Sequence, residues 1–173
     1  MTNEPYLVTT DQDKDAITTL HSICFGDMDW SYLQAALDDE NYFALLVGCD
    51  EDEQPAGYLV CHVRGKESDG KWMGVRPEKR REGLAIKVAF AGMKECRNRG
   101  AEYFNAYPCE SNTHVNELGN LFHPKLGMVL MDSFSDYNIR DGVRGEFITQ
   151  HWRASLLTVP NKLCNTISYH CIT

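Results

Sequence analysis

The sequence predicts a single α+β domain with a mainly antiparallel central sheet flanked by helices, and three observations lead there. Helical and strand periodicities interleave in the order β-α-α-β-β-β-α-β-α-β-β. Two apolar runs, residues 42–48 and 56–63, flank a short acidic turn, the arrangement of an antiparallel hairpin. The length of 173 residues fits one domain and is enough to bury about 70% of the unfolded surface.

Each element follows from local signals. Residues 6–9 read as a short strand. Residues 11–25 carry Ile17, Leu20 and Cys24 at helical spacing, and Gly26 stops the helix. Ser31-x-x-Gln34 is a capping-box pattern opening a second short helix that ends at Leu37. The hairpin follows, then a Gly/Lys/Ser-rich loop at 65–71 and a brief strand at 72–75. From Gly83 to Arg99 the small and apolar residues Ala85, Val88, Ala89, Gly92, Met93 and Cys96 recur on one helical face. Gly100 is a natural cap. Residues 101–107 form a strand ended by Pro108. A helix over 112–126 must break, because Pro124 interrupts it. Residues 128–137 and 146–152 are a closing antiparallel pair. The domain is expected over residues 1–153, with 154–173 an extension that carries one lysine and no acid.

Charge is divided unevenly. Residues 1–53 hold 13 acidic groups and one basic group, Lys14, a net of −12, whereas the rest of the chain is net +4. An acidic half beside a basic half suits two ligands of opposite sign meeting at one site. With no basic stripe, nucleic acid is not an expected partner. No apolar run reaches about 18 residues and the first residues lack a signal-peptide pattern, so no membrane partner and a cytoplasmic location are expected. The seven cysteines include no CxxC pair and read as free thiols, and no metal is expected.

The segment with most chemistry is residues 72–85, Trp-Met-Gly-Val-Arg-Pro-Glu-Lys-Arg-Arg-Glu-Gly-Leu-Ala. A strand runs into a basic turn from which a helix starts. A helix start leaves backbone N–H groups without partners at the positive end of the macrodipole, which is an anion site. Gly83 lets the backbone approach a ligand closely, Ala85 is nearly as small, and Arg80 and Arg81 add charge. The pattern predicts a diphosphate site.

Arg80-x-x-Gly83-x-Ala85, preceded by Val75-x-Pro77 and followed by the long helix, closely resembles the Q/R-x-x-G-x-G/A loop of the GNAT (Gcn5-related N-acetyltransferase) superfamily. The element order resembles that family over roughly residues 5–152, and LFHPKLGM stands where the family has a tyrosine-bearing segment. The resemblance implies splayed strands forming an acyl-CoA site, with acetyl-CoA as co-substrate. Met73, Gly74 and Val75 would hold the pantetheine arm and thioester. Arg80, Arg81, Glu82, Gly83, Leu84, Ala85 and Ile86 would hold the pyrophosphate. Asn116, with Asn112 as its rival, would contact the coenzyme. The implied activity is transfer of an acetyl group to a primary amine by direct attack in a ternary complex; the alternative is an acyl-CoA-binding sensor without turnover. A homodimer is a candidate assembly.

The family's tyrosine proton donor is replaced here by Phe122, which has no proton to give. Tyr107 and His123 are the candidate substitutes, and Glu110 is the candidate base, with His62 and His114 behind it. Asp27, Asp29, Trp30 and Tyr32, in the connection between the first two helices, suit a small cationic amine acceptor by charge and cation–π contact.

Overall fold

The computed structural model describes residues 4–26, 30–49, 54–108, 122–140 and 143–157. Their elements are β1 (Tyr6–Leu7), α1 (Asp11–Phe25), α2 (Trp30–Leu37), β2 (Tyr42–Cys49), β3 (Pro55–Arg64), β4 (Glu67–Val75), α3 (Leu84–Asn98), β5 (Tyr103–Ala106), β6 (Val129–Arg140) and β7 (Val143–Ser155). A short 3₁₀ turn at Pro77–Lys79 joins β4 to α3.

The strands form one seven-stranded sheet in the order β1-β2-β3-β4-β5-β7-β6. Every pairing is antiparallel except β4 with β5. That parallel pair requires a crossover, and α3 makes it. Both faces of the central strands are covered, which is why β2 and β3 read as continuous apolar runs rather than alternating ones. On one face Val47, Leu59, Cys61, Phe104 and Trp152 pack with Val88, Ala89, Met93 and Cys96 of α3. On the other, Ala44, Leu46, Tyr58 and Val60 pack with Ile17 and Leu20 of α1 and Leu33 of α2. Each fully buried leucine or isoleucine contributes about 1.5–3 kcal/mol of transfer free energy.

Three expectations change in detail. The loop expected at 65–71 is a tight turn at Gly65 and Lys66, with Gly65 at φ 59°, and β4 starts at Glu67. The polar run misled because Ser68 and Asp69 are buried with partners: Ser68 Oγ donates to the Tyr103 carbonyl at 2.7 Å, and Asp69 accepts from Arg64 at 2.6 Å. The helix α2 begins at Trp30, so Ser31 lies in its first turn rather than capping it. Residues 122–125 form a helical turn with Pro124 included, ahead of Gly127 at φ 71°. The other helical boundaries agree with the sequence reading: Thr10 and Asp13 cap α1 reciprocally, and Gly26 at φ 65° ends it.

Candidate functional site

The site begins where β4 leaves β5. Their parallel register runs from Glu67↔Tyr103 to Gly70↔Ala106 and stops there, whereas β4 continues to Val75. At the same point the β3–β4 register shifts: Gly70 faces Cys61 and Trp72 faces Val60, leaving Lys71 as the extra residue of a β-bulge. A bulge bends its strand and increases its twist, so β4 swings away and a fork opens.

Past the fork, β4 has a partner on one side only. The Arg76 N–H donates to the Ala56 carbonyl of β3 at 2.8 Å. Because backbone groups alternate sides along a strand, those of Val75 and Met73 point away from β3 and into the fork. The Val75 carbonyl meets Nε of Arg80 there at 3.2 Å. Gly74 lies on the α1 face, where an added Cβ would stand 2.8 Å from Cys24 Sγ and 2.8 Å from a Tyr58 ring carbon. The absence of a side chain thus lets α1 close against this stretch. Burial pushes the Cys24 thiol up against the pull of nearby Arg80, so it stays protonated.

The turn after β4 lies beside the same opening, tied to it by the Arg80 contact with the Val75 carbonyl. Arg81 has φ 69°, the only positive φ at a non-glycine among the described residues, and Gly83 sits at φ 80°, ψ 3°. A non-glycine residue in the left-handed region costs on the order of 1 kcal/mol or more and marks a backbone held for a purpose. The first bond closing α3 runs from the Lys87 N–H to the Gly83 carbonyl, and no described backbone carbonyl accepts from the N–H groups of residues 81–86. Gly83 is half-buried and Arg80, Arg81 and Glu82 are exposed, so the donors are reachable. Between 76 and 87 there are five basic and two acidic residues. Leu84 sends its side chain into the core under Gly48, so only its backbone faces the turn. Ala85 and Ile86 are half-buried in the first turn of α3.

The other arm of the fork carries a polar face. Tyr103, Asn105 and Tyr107 share the α1 side of β5, with Phe104 on the opposite side against α3. Tyr107, 43% exposed, follows the last β4–β5 pair directly and stacks on His151 of β7, ring centroids 4.7 Å apart. Burial, with the charge of Asp69 added, pushes the Tyr107 phenol up. Asp69 is enclosed with Arg64 at 2.6 Å and Lys71 at 3.8 Å. Glu67 pairs with Arg153 at 2.5 Å. His62 stacks on Tyr42 at 4.2 Å, and burial together with Arg64 and Lys71 pushes its imidazole down. Among the described residues no group of three His, Cys, Asp or Glu side chains is placed to hold a metal ion.

The fold that carries this site has counterparts among solved structures. A protein assigned to the GNAT family of acetyltransferases, from Desulfovibrio desulfuricans, superposes with a TM-score of 0.69 at 14% identity, over 88% of this chain and 98% of that one. The ribosomal-protein-S18-alanine N-acetyltransferase of Escherichia coli gives 0.69 at 15% identity, covering 92% and 98%. An aminoglycoside 6′-N-acetyltransferase complexed with coenzyme A gives 0.68 at 13% identity, covering 90% and 99%. The chain has the GNAT acetyltransferase fold. No protein-family model matches the sequence, and no curated protein matches it in sequence.

Within the GNAT fold the sequence-predicted residues fall into four groups. Met73, Gly74, Val75 and residues 80–86 are brought together at the fork and the turn beside it. Trp30 and Tyr32 stand at the start of α2, 37% and 71% exposed, so neither is a core aromatic. Asp27, Asp29, Glu110, Asn112, His114 and Asn116 lie outside the described residues. His123 is set apart from the α1 side of the fork: it is buried and stacked on Trp152, whose indole belongs to the core beneath α3. Phe122 packs edge-on against His123 and against that core. Sequence reading passed over Asp69, Asn105 and His151. The alternation Thr149, His151, Arg153 against Gln150, Trp152, Ala154 held the signal that His151 shares a face with Tyr107.

Proposed function

We propose that the chain is an acetyl-CoA-dependent N-acetyltransferase that passes the acetyl group to a primary amine by direct attack in a ternary complex. The supporting observation is a coincidence of two features at one place. The bulge at Lys71 frees the edge of β4, and the N–H groups of residues 81–86, which no described backbone carbonyl accepts, open beside that edge. Acetyl-CoA brings the activated thioester; the chain supplies binding, orientation and proton handling.

Residues 81–86 fit a diphosphate. Micromolar affinity requires about 8 kcal/mol, and hydrogen bonds to a charged group contribute roughly 1.5–3 kcal/mol each, so four or five backbone donors are sufficient. The edge groups of Met73 and Val75 suit the amides and thioester carbonyl of a pantetheine arm by strand addition. Holding donor and acceptor in line supplies about 7–11 kcal/mol, so the missing tyrosine at Phe122 does not forbid turnover. Tyr107, whose phenol keeps its proton, stands at the fork to give one to the departing thiolate.

The acceptor proposed is a small cationic amine, met by exposed Trp30 and Tyr32 and the carboxylates of the α1–α2 connection. The structural neighbours named for aminoglycoside and ribosomal-protein acetylation bracket the choice between small molecule and protein amine. Phe122 favours a second reading, an acyl-CoA sensor without turnover. Calorimetry with coenzyme A and thiol release across a panel of polyamines, aminoglycosides and peptides separate the readings. Binding with thiol release supports the transferase. Binding with no release for any amine supports the sensor, and no heat at millimolar coenzyme removes both.

A further inference from the structure

The hydrogen bonds beneath Tyr107 fix the protonation pattern of a histidine that faces the fork. Asn105 is buried, and its Nδ2 lies 2.9 Å from Glu67 Oε2 and 3.0 Å from the Ser68 carbonyl oxygen. Both neighbours are acceptors, so the amide nitrogen must point at them; the reverse orientation would set three oxygens against one another. The Asn105 Oδ1 is thereby turned to His151 Nε2 at 2.9 Å, and an amide oxygen only accepts. The His151 Nε2 therefore carries a hydrogen. In the neutral ring the lone pair is then on Nδ1, which makes no hydrogen bond among the described residues. The Tyr107 ring stacked on the imidazole at an interplanar angle of 16° holds its plane. A base oriented by a second group that is itself anchored is the arrangement general-base catalysis uses.

We propose that His151 is the general base of the acetyl transfer, an assignment that rests on the transferase reading above. An ammonium arriving on the α1 side gives one proton to His151 Nδ1, directly or through one water. The free amine attacks the thioester carbonyl; the C–N bond forms and the C–S bond breaks. Tyr107 gives its phenol proton to the coenzyme thiolate and recovers the second proton from the nitrogen, and the proton on His151 returns to solvent. The charges facing His151 are paired: Glu67 with Arg153, and Asp69 with Arg64 and Lys71. Asp132 of β6, its cross-strand partner, is exposed, and Tyr107, just past β5, is neutral with its phenol pushed up. Among the described residues no carboxylate hydrogen-bonds the imidazole directly. Glu110 competes for the same role from sequence, so both are tested.

The experiment compares the wild type with His151→Gln, His151→Ala and Glu110→Gln, using an amine that the wild type accepts. Expected for His151→Gln is a kcat/KM lower by about 10²–10⁴, loss of the acid limb of the pH profile, and unchanged coenzyme affinity and Tm. Imidazole should restore part of the rate to His151→Ala, which a purely structural histidine would not show. In ¹⁵N NMR the neutral His151 should be the Nε2–H tautomer. Wild-type pH dependence in His151→Gln, or an Nδ1–H tautomer, overturns the assignment. The full loss appearing in Glu110→Gln alone does so too. A wild type that binds coenzyme A and acetylates no amine overturns the transferase reading instead, while the NMR result still reports on the ring.

Discussion

The turn at residues 80–86 and the polar face around Tyr107 meet at one fork, yet the turn takes its groups from consecutive residues and the face takes its groups from three strands. The turn offers backbone N–H groups, shaped by Arg81 at φ 69° and Gly83 at φ 80°. The face offers side chains, Asn105 from β5 and Tyr107 just past it, Glu67 and Asp69 from β4, and His151 from β7, assembled only when the sheet pairs. A site made of backbone tolerates most side-chain exchanges and fails when φ is disturbed. A site made of cross-strand side chains fails when one partner is deleted.

Substitution Gly83→Val is the largest test of that contrast. A valine held near φ 80° costs on the order of 1–3 kcal/mol, so the turn relaxes and its N–H groups swing off target. Losing two hydrogen bonds to a diphosphate, at roughly 1.5–3 kcal/mol each, weakens coenzyme A binding by about 100-fold or more. Calorimetry reads the loss, and circular dichroism should show a folded chain. Unchanged affinity would remove the turn from the site.

The same contrast decides what was legible in sequence. The turn was legible because glycine, arginines and a helix start are local signals in one segment of 14 residues, 72–85. The helices α1 and α3 were legible for the same reason, through caps and a 3.6-residue period. The start of β4 was not. Its first residues, Glu67-Ser68-Asp69-Gly70, carry no apolar group, and their burial depends on Arg64, Arg153 and the Tyr103 carbonyl, which only the fold brings near. Missing that half of β4 also hid the bulge at Lys71 and the row from Asp69 to Asn105 across the fork. Polarity tracks exposure only where partners are absent.

A smaller effect is expected where backbone and side-chain logic touch, at Gly74. In Gly74→Ala the new Cβ would lie 2.8 Å from both Cys24 Sγ and the Tyr58 ring, with Tyr58 fixed by a 2.7 Å hydrogen bond to His21. Overpacking of this kind costs about 1–3 kcal/mol, a fall in Tm of about 2–10 °C for a chain of this size. Adding Cys24→Ala should return part of that loss, because the sulfur is one of the two atoms struck. Scanning calorimetry on the single and double variants gives the coupling. An unaltered Tm in Gly74→Ala would mean that α1 does not close on β4 as described.

The smallest expected effect is at Phe122→Tyr, and it separates fold from mechanism. The resemblance to the GNAT pattern would make this substitution restore a proton donor and raise kcat. The packing argues otherwise: the ring lies 5.5 Å from His123, edge-on, and leans on the core that Trp152 and α3 share, whereas Tyr107 stands on the α1 side of the fork. A hydroxyl added there gains no place beside the thioester, so kcat should stay within about 2-fold of wild type. Tyr107→Phe should instead lower it by about 10-fold or more, since a positioned acid contributes at least that much. If the tyrosine at 122 raised turnover 10-fold while Tyr107→Phe did nothing, proton delivery would come from the α3 side, and the division of labour between backbone turn and polar face would have to be redrawn around that helix.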